Sequence, residues 1–229
     1  MELYDAKVIE VIKEKPTIYT YVMEVPEGYE WTPGQHALWK LPDFELTQKE
    51  SQRVFTISSA PDEGVLKFTT KIAEKHSEFK DALLNKVTEG SRIQVAGARG
   101  KFAFHEEKRN HLAVAGGIGI TPFRALLKDW LVRPWEGHKL TMLYSESMGE
   151  FAYEDLWKEV EEHLPEVELH LLTSVKECTD LAKAFAKEHM NEGEYLICGS
   201  PKMNEIYTEI FEEMGIAKDN IVTDIFMGY

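Results

Sequence analysis

Along its first hundred residues the chain alternates apolar and polar positions in short runs. Lys7–Lys13 and Ile18–Val25 carry Val8, Val11 and Ile12, then Tyr19, Tyr21 and Met23, as their apolar members. Ala37–Leu41, Val54–Ile57, Val65–Ile72 and Arg92–Val95 are further β-rich runs. Pro26-Glu27-Gly28, Trp31-Thr32-Pro33-Gly34-Gln35-His36, Pro61, Gly64, Gly90 and Gly97 punctuate them. Short strands with turn signals at this spacing predict an all-β barrel or sandwich. Ser77–Leu84 departs from the pattern, because Phe79, Leu83 and Leu84 recur at helical spacing.

The rhythm then changes. His111–Ala115, Leu140–Tyr144, Val167–Leu172, Tyr195–Cys198 and Asn220–Phe226 read as strands. Between them, Phe123–Leu131, Tyr153–Leu164, Leu181–His189 and Pro201–Met214 read as helices. Strands alternating with helices predict a parallel sheet covered on both faces. The switch falls in the charged stretch His105–Asn110, so two domains are expected, 1–106 and 107–229.

Composition narrows the classes. The chain has 229 residues and a formal net charge of -14, which argues against a sequence-independent grip on nucleic acid or an anionic membrane. No apolar run reaches the roughly 18–20 residues of a membrane span, and no leader is evident, so a cytoplasmic protein is expected. Cys178 and Cys198 form no cluster, and the eight histidines form no ligand pair, so no metal site is expected.

Two stretches carry the chemistry. Arg53-Val54-Phe55-Thr56-Ile57-Ser58-Ser59 places one cation and several hydroxyls on a strand. Alternation puts Arg53, Phe55 and Ile57 on one face, with Val54, Thr56 and Ser58 on the other. A guanidinium fork suits phosphate. Further on, the strand Leu112–Ala115 runs into Gly116-Gly117-Ile118-Gly119-Ile120-Thr121-Pro122. Glycines there let backbone N–H groups approach a diphosphate at a helix start, and Pro122 suits an early helical position.

With Pro33-Gly34-Gln35 preceding it, the Arg53 stretch resembles the flavin-binding signature of the ferredoxin–NADP reductase superfamily, Arg-x-Tyr-(Ser/Thr), with Phe55 in place of tyrosine. The resemblance covers nearly the whole chain. It implies a flavin-binding antiparallel β-barrel followed by a Rossmann-like nicotinamide domain. It assigns Arg53 to the flavin pyrophosphate and Thr56 to the flavin's hydride-accepting nitrogen. Phe55 is left to stack on the isoalloxazine, and Ser58 and Ser59 supply nearby donors. Ser77, in Glu74-Lys75-His76-Ser77, stands where the family has a pyrophosphate-binding helix start, and Lys71 joins the cofactor-binding set. Gly116, Gly117, Gly119, Thr121 and Pro122 are similar to the family's dinucleotide turn. Cys198-Gly199-Ser200-Pro201-Lys202-Met203 is similar to its Cys-Gly-x-x-x-Met marker, which sets Cys198, Gly199 and Met203 beside the nicotinamide.

The chain end, Asp224 to Tyr229, matches the region that lies over the flavin in the family. Phe226 or Tyr229 is expected to cover the ring, and Asp224 to supply an acidic group. Ser145 ends the second strand of the α/β half, where the next residue, Glu146, suits a ribose diol and repels a 2′-phosphate. The expected function is therefore an FAD-dependent NAD(P)H oxidoreductase, NADH favoured, passing electrons to an unidentified acceptor. The expected catalytic residues are Thr56, Cys198 and Asp224. A reductase subunit of a larger complex and a non-catalytic flavin-binding sensor are the alternative readings.

Overall fold

The computed structural model describes residues 2–47 and 50–225. Six strands, β1 (Leu3–Lys15), β2 (Ile18–Met23), β3 (His36–Lys40), β4 (Gln52–Thr56), β5 (Leu66–Lys71) and β6 (Arg92–Ala96), form an antiparallel sheet. Their order is β4-β3-β6-β1-β2-β5. The sheet curls so that its edges meet beyond β4: the Ser58 N–H donates to the Lys67 carbonyl on β5 (2.8 Å). Inside lie Trp39, Tyr21, Phe55, Phe68 and Ile93. Helix α1 (Glu78–Asn85) contributes Phe79 and Leu83 to this core.

β1 is longer than its alternation predicts, and its first half pairs with β6 while its second pairs with β2. A register shift between Val8 and Glu10 interrupts its pairing with β2. Val8 is buried and Val11 is exposed, since positions three apart on a strand lie on opposite faces.

The second half is a five-stranded parallel sheet of order β11-β10-β7-β8-β9. It is built from β7 (Asn110–Gly116), β8 (Lys139–Ser145), β9 (Val167–Leu172), β10 (Gly193–Gly199) and β11 (Ile221–Ile225). Helices α2 (Thr121–Val132) and α3 (Glu154–His163) cover one face over Phe123, Leu127 and Trp157. Helices α4 (Val175–His189) and α5 (Pro201–Glu213) cover the other over Phe185, Tyr207 and Phe211. α4 starts six residues before its apolar periodicity does. Its first turns bury only Cys178 and otherwise lie largely exposed, and Ser174 caps them by accepting from the Glu177 N–H (3.2 Å).

Strand order reverses beside β7, with β8 on one side and β10 on the other. Crevices at the carboxyl ends of strands form at such a switch point. Here the crevice is bounded by Gly116, ending β7, and Gly199, ending β10. The six-stranded sheet ends at Ala96 and the five-stranded one begins at Asn110. Phe102 and Phe104 of the connecting segment pack with Phe123 and Trp130 of α2.

Candidate active site

The turn that enters β3 brings Gly34 against the connecting segment. A Cβ at Gly34, whose φ is +88°, would stand 1.9 Å from the Phe102 carbonyl oxygen, so the Pro33-Gly34-Gln35 turn admits only glycine there. The Gln35 carbonyl then accepts from the Ile57 N–H (2.9 Å), which ties the turn to the end of the β4 segment.

On β4, Arg53 is buried and Val54 is exposed, as alternation predicts, but alternation fails after Phe55. Thr56, Ile57, Ser58 and Ser59 are all buried, because the chain leaves the sheet surface and passes between the barrel and the parallel sheet. The expected stack of Phe55 on a flavin ring needs correction. Its ring lies in the barrel core, parallel to Phe68 (5.0 Å, 12°) and tilted on Phe79 (5.9 Å). Ser58 and Ser59 are also engaged by protein. The Ser58 hydroxyl meets that of Thr69 (3.2 Å), and Ser59 Oγ accepts from the Lys67 N–H (3.0 Å).

Arg53 and Ser77 do come together, through α1. Ser77 caps the helix by accepting from the Lys80 N–H (3.4 Å). The Arg53 guanidinium lies 5.7 Å from the centre of the Phe79 ring and is ion-paired with Glu50. Lys80 is buried in the same first turn. Burial, and then the charge of Arg53, push its ammonium pKa down to about 8. Two buried cations beside a helix N-terminus suit a doubly charged anion. Lys80 belongs to this set, and its third position after Ser77 was the available sequence signal.

In the crevice the glycines divide into two kinds. A Cβ on Gly119 would stand 2.2 Å from the Cys198 carbonyl oxygen, and one on Gly116 or Gly199 would meet the Met203 sulfur at 2.2 or 2.5 Å. These three admit close packing of protein on protein. Gly117, at φ +53°, faces nothing within 4 Å, so its backbone is the part of the turn open to a ligand. Thr121 is buried and its hydroxyl donates to the Ile118 carbonyl (3.1 Å), which closes the turn. Pro122 fills an early position of α2, whose start has no side-chain cap. Ser145 is the register partner of Gly116, on the rim of the same crevice.

Cys198 is fully buried, and burial, followed by the charge of Asp224, raises its thiol well above the usual range. It is a neutral thiol, unsuited to nucleophilic attack. Asp224 is its register partner on β11. Burial raises the Asp224 carboxyl, while the charge of His36 opposes the rise. His36 in turn is the register partner of Thr56 across β3 and β4. Cys198 and Asp224 thus stand side by side on neighbouring strands of the parallel sheet, while Thr56 pairs with His36 in the barrel. Lys71, expected at a cofactor, reaches Glu146 at the end of β8 (3.6 Å). Glu146 Oε2 accepts from the N–H groups of Met148 (2.9 Å) and Glu150 (3.0 Å), so this buried carboxylate shapes the loop after β8. Phe226 and Tyr229 lie outside the described residues.

Residues 113–209 match the family described as the oxidoreductase NAD-binding domain. The chain is 26% identical over 200 residues to a Na(+)-translocating NADH-quinone reductase component from Psychrobacter cryohalolentis, covering 77% of this chain and 49% of that one. The component of the same name from Marinomonas is 25% identical over 228 residues, covering 90% and 55%. The chain therefore spans about half the length of these curated relatives. Among solved structures, a ferredoxin-NADP+ reductase from Plasmodium falciparum with 2'P-AMP superposes with a TM-score of 0.81 at 17% identity, covering 98% of this chain and 97% of that one. The ferredoxin NADP+ reductase from Neisseria gonorrhoeae with bound FAD and NADP gives 0.79 at 18% identity, covering 98% and 99%. The antiparallel barrel followed by the five-stranded parallel sheet has the fold of these ferredoxin-NADP+ reductases, and residues 113–209 carry the match to the oxidoreductase NAD-binding domain.

Proposed function

We propose that the protein is an FAD-dependent NAD(P)H oxidoreductase that passes electrons to an acceptor. The observation that carries this reading is the junction of the two halves: the Ser58 carbonyl, two residues beyond Thr56, accepts from Arg124 in the first turn of α2 (2.6 Å), directly after the glycine turn that ends β7.

The residues present fit both cofactors. Arg53, Lys80 and the N–H groups of the first turn of α1 would hold the FAD pyrophosphate. The open backbone at Gly117 and the uncapped start of α2 would hold the pyrophosphate of the nicotinamide nucleotide. Bound FAD supplies a two-electron centre that accepts hydride and releases electrons singly or in pairs. Cys198, as a neutral thiol, offers bulk and low charge beside the nicotinamide. Asp224, with its raised carboxyl, can hold a proton in the same place. The surrounding protein orients the two rings and excludes water.

Glu146 favours NADH, because a buried carboxylate at the end of β8 repels a 2′-phosphate and Lys71 offsets only part of its charge. The acceptor is a small molecule or a redox protein. A second reading, a reductase subunit of a larger assembly, follows from the two NADH-quinone reductase relatives, of whose length the chain covers about half. No helix among the described residues is long and apolar enough to cross a membrane.

Absorbance of the purified protein followed by anaerobic addition of NADH tests the reading. Yellow protein that bleaches supports it. Colourless protein that cannot be reconstituted with FAD overturns it, and bound FAD that neither nicotinamide bleaches points to a non-catalytic flavoprotein. Turnover with each nucleotide decides between NADH and NADPH.

A further inference from the structure

The two fingerprints are joined by one side chain that neither contains. Arg124 stands in the first turn of α2, three residues after Thr121. Its Nη1 donates to the Ser58 carbonyl (2.6 Å), two residues beyond Thr56. Nη1 and Nη2 also grip both oxygens of Glu63, each at 2.8 Å. Glu63 belongs to the 3-10 turn Pro61–Glu63 that follows the flavin strand. Its carboxylate further accepts from the Ala60 N–H (2.8 Å) and the Lys67 ammonium (2.9 Å). Both partners are largely buried, and the Arg124 guanidinium lies 5.4 Å from the centre of the Tyr153 ring.

We propose that Arg124 is a positioning residue, keying the nicotinamide turn to the end of the flavin strand so that the two rings meet in reacting register. This rests on the function proposed above.

The geometry favours a key over a general tether. Among the described residues, the other ion pairs of a lysine or arginine between the two halves are Lys15 with Glu154, Lys71 with Glu146 and Arg133 with Asp62, and each joins by a single nitrogen. Arg124 combines a two-pronged carboxylate grip with a backbone carbonyl, which fixes orientation as well as distance. Its contacts reach Ser58, whose N–H is already fixed to Lys67 and whose hydroxyl is fixed to Thr69. A shift at the start of α2 is therefore passed to backbone two residues from Thr56. Burial opposes charge on Glu63, but hydrogen bonds and charge from Arg124 and Lys67 outweigh it and bring the carboxyl down to about 2, so the pair persists at any working pH.

The test uses Arg124→Lys, which keeps the charge and loses the fork, with Glu63→Gln and the double variant. Flavin content and melting establish that each folds. Anaerobic stopped-flow reduction by NADH separates the limiting rate from nucleotide affinity. The expected result for Arg124→Lys is normal flavin content, an affinity within about twofold, and a limiting rate lower by about tenfold or more, since misplacement of about 1 Å can cost about 10²-fold. The double variant should be no slower than Arg124→Lys, because the residues act as one unit. Amide exchange of the chain without ligands should rise in both 58–64 and 121–128. An unchanged limiting rate, or a loss residing wholly in affinity, overturns the proposal. Should the wild type prove unreactive with NADH and NADPH, the proposed function fails, and unchanged exchange in the two segments would still refute the key.

Discussion

The carbonyl oxygen of Cys198 lies 2.2 Å from the place where a Cβ on Gly119 would stand. The dinucleotide turn is thus pressed directly onto the end of β10, with backbone against backbone. Met203, by contrast, meets Gly116 and Gly199 with a flexible side chain that can swing away. Gly119→Ala should therefore lower stability by about 1–3 kcal/mol, the usual cost of overpacking, and weaken nicotinamide binding as the turn lifts. Gly117→Ala meets open space and should cost only the roughly 1–2 kcal/mol of a left-handed backbone. Urea unfolding and titration with NADH measure both variants. Equal stability losses would show that contact with Cys198 does not govern the turn.

Lys80 gives the proposed flavin site a pH signature. Its pKa, depressed to about 8 by burial and Arg53, rises again when an anion binds between the two cations. Binding then takes up a proton in the window above pH 8, so affinity for FAD should fall as pH rises from about 8 towards about 10. The slope reaches at most about one logarithmic unit per pH unit. Lys80→Met should weaken binding at neutral pH and flatten the dependence. Equilibrium titration of apoprotein with FAD at several pH values checks it, and an unchanged slope in the variant places the proton elsewhere.

Cys198 should be inert as a thiol. Burial raises both it and Cys178, so neither offers appreciable thiolate at neutral pH. Native protein treated with iodoacetamide at about pH 7.5 (about one unit below an ordinary thiol pKa) should show no mass increase, while urea-unfolded protein should gain two adducts. Cys198→Ala should slow flavin reduction by NADH while leaving flavin content unchanged. Rapid alkylation of the native chain would refute the buried neutral thiol.

The fold was largely legible because both halves obey a period. Alternation located the barrel strands, and the strand–helix alternation after Asn110 located the parallel sheet. Legibility failed where periodicity was read loosely or was missing. Val8 and Val11, read as members of one apolar run, lie on opposite faces of β1, and the first turns of α4 bury only Cys178. At the site, motifs found the backbone turns better than the side-chain contacts. The Arg53 guanidinium and Ser77 lie at the start of α1, and the glycines form the turn after β7 and its packing on β10. Phe55 is in the barrel core, since neighbours on β5 and α1 supply aromatic rings that its strand cannot reveal. Arg124 bonds to partners far away in sequence, and pairing at such range leaves no local trace.

At the opposite end of the parallel sheet from the crevice, Glu194 and His111 form a buried pair. The Glu194 carboxylate accepts from His111 Nδ1 (2.8 Å), which leaves His111 Nε2 to accept from His138 Nδ1 (3.0 Å). His105 bonds the other carboxylate oxygen. Burial opposes charge on Glu194, but the hydrogen bonds of His111 and His105 prevail and lower its carboxyl. A lowered carboxyl contributes stability above its ordinary pKa of 4.5 and loses it as pH falls below that value. His138 is lowered by burial and by His111, so the folded state resists its protonation and loses stability as pH falls through 6.5. Both slopes have the same sign, and unfolding free energy should decline steadily from about pH 7 to about pH 4. Glu194→Gln keeps the shape but removes the charge, so stability at neutral pH should drop by about 1–3 kcal/mol. Because glutamine does not titrate, its decline below pH 4.5 should be shallower than that of the wild type. Urea unfolding at about pH 7, 5.5 and 4 reads both effects, and parallel pH profiles for the two proteins would show that this pair does not couple folding to protons.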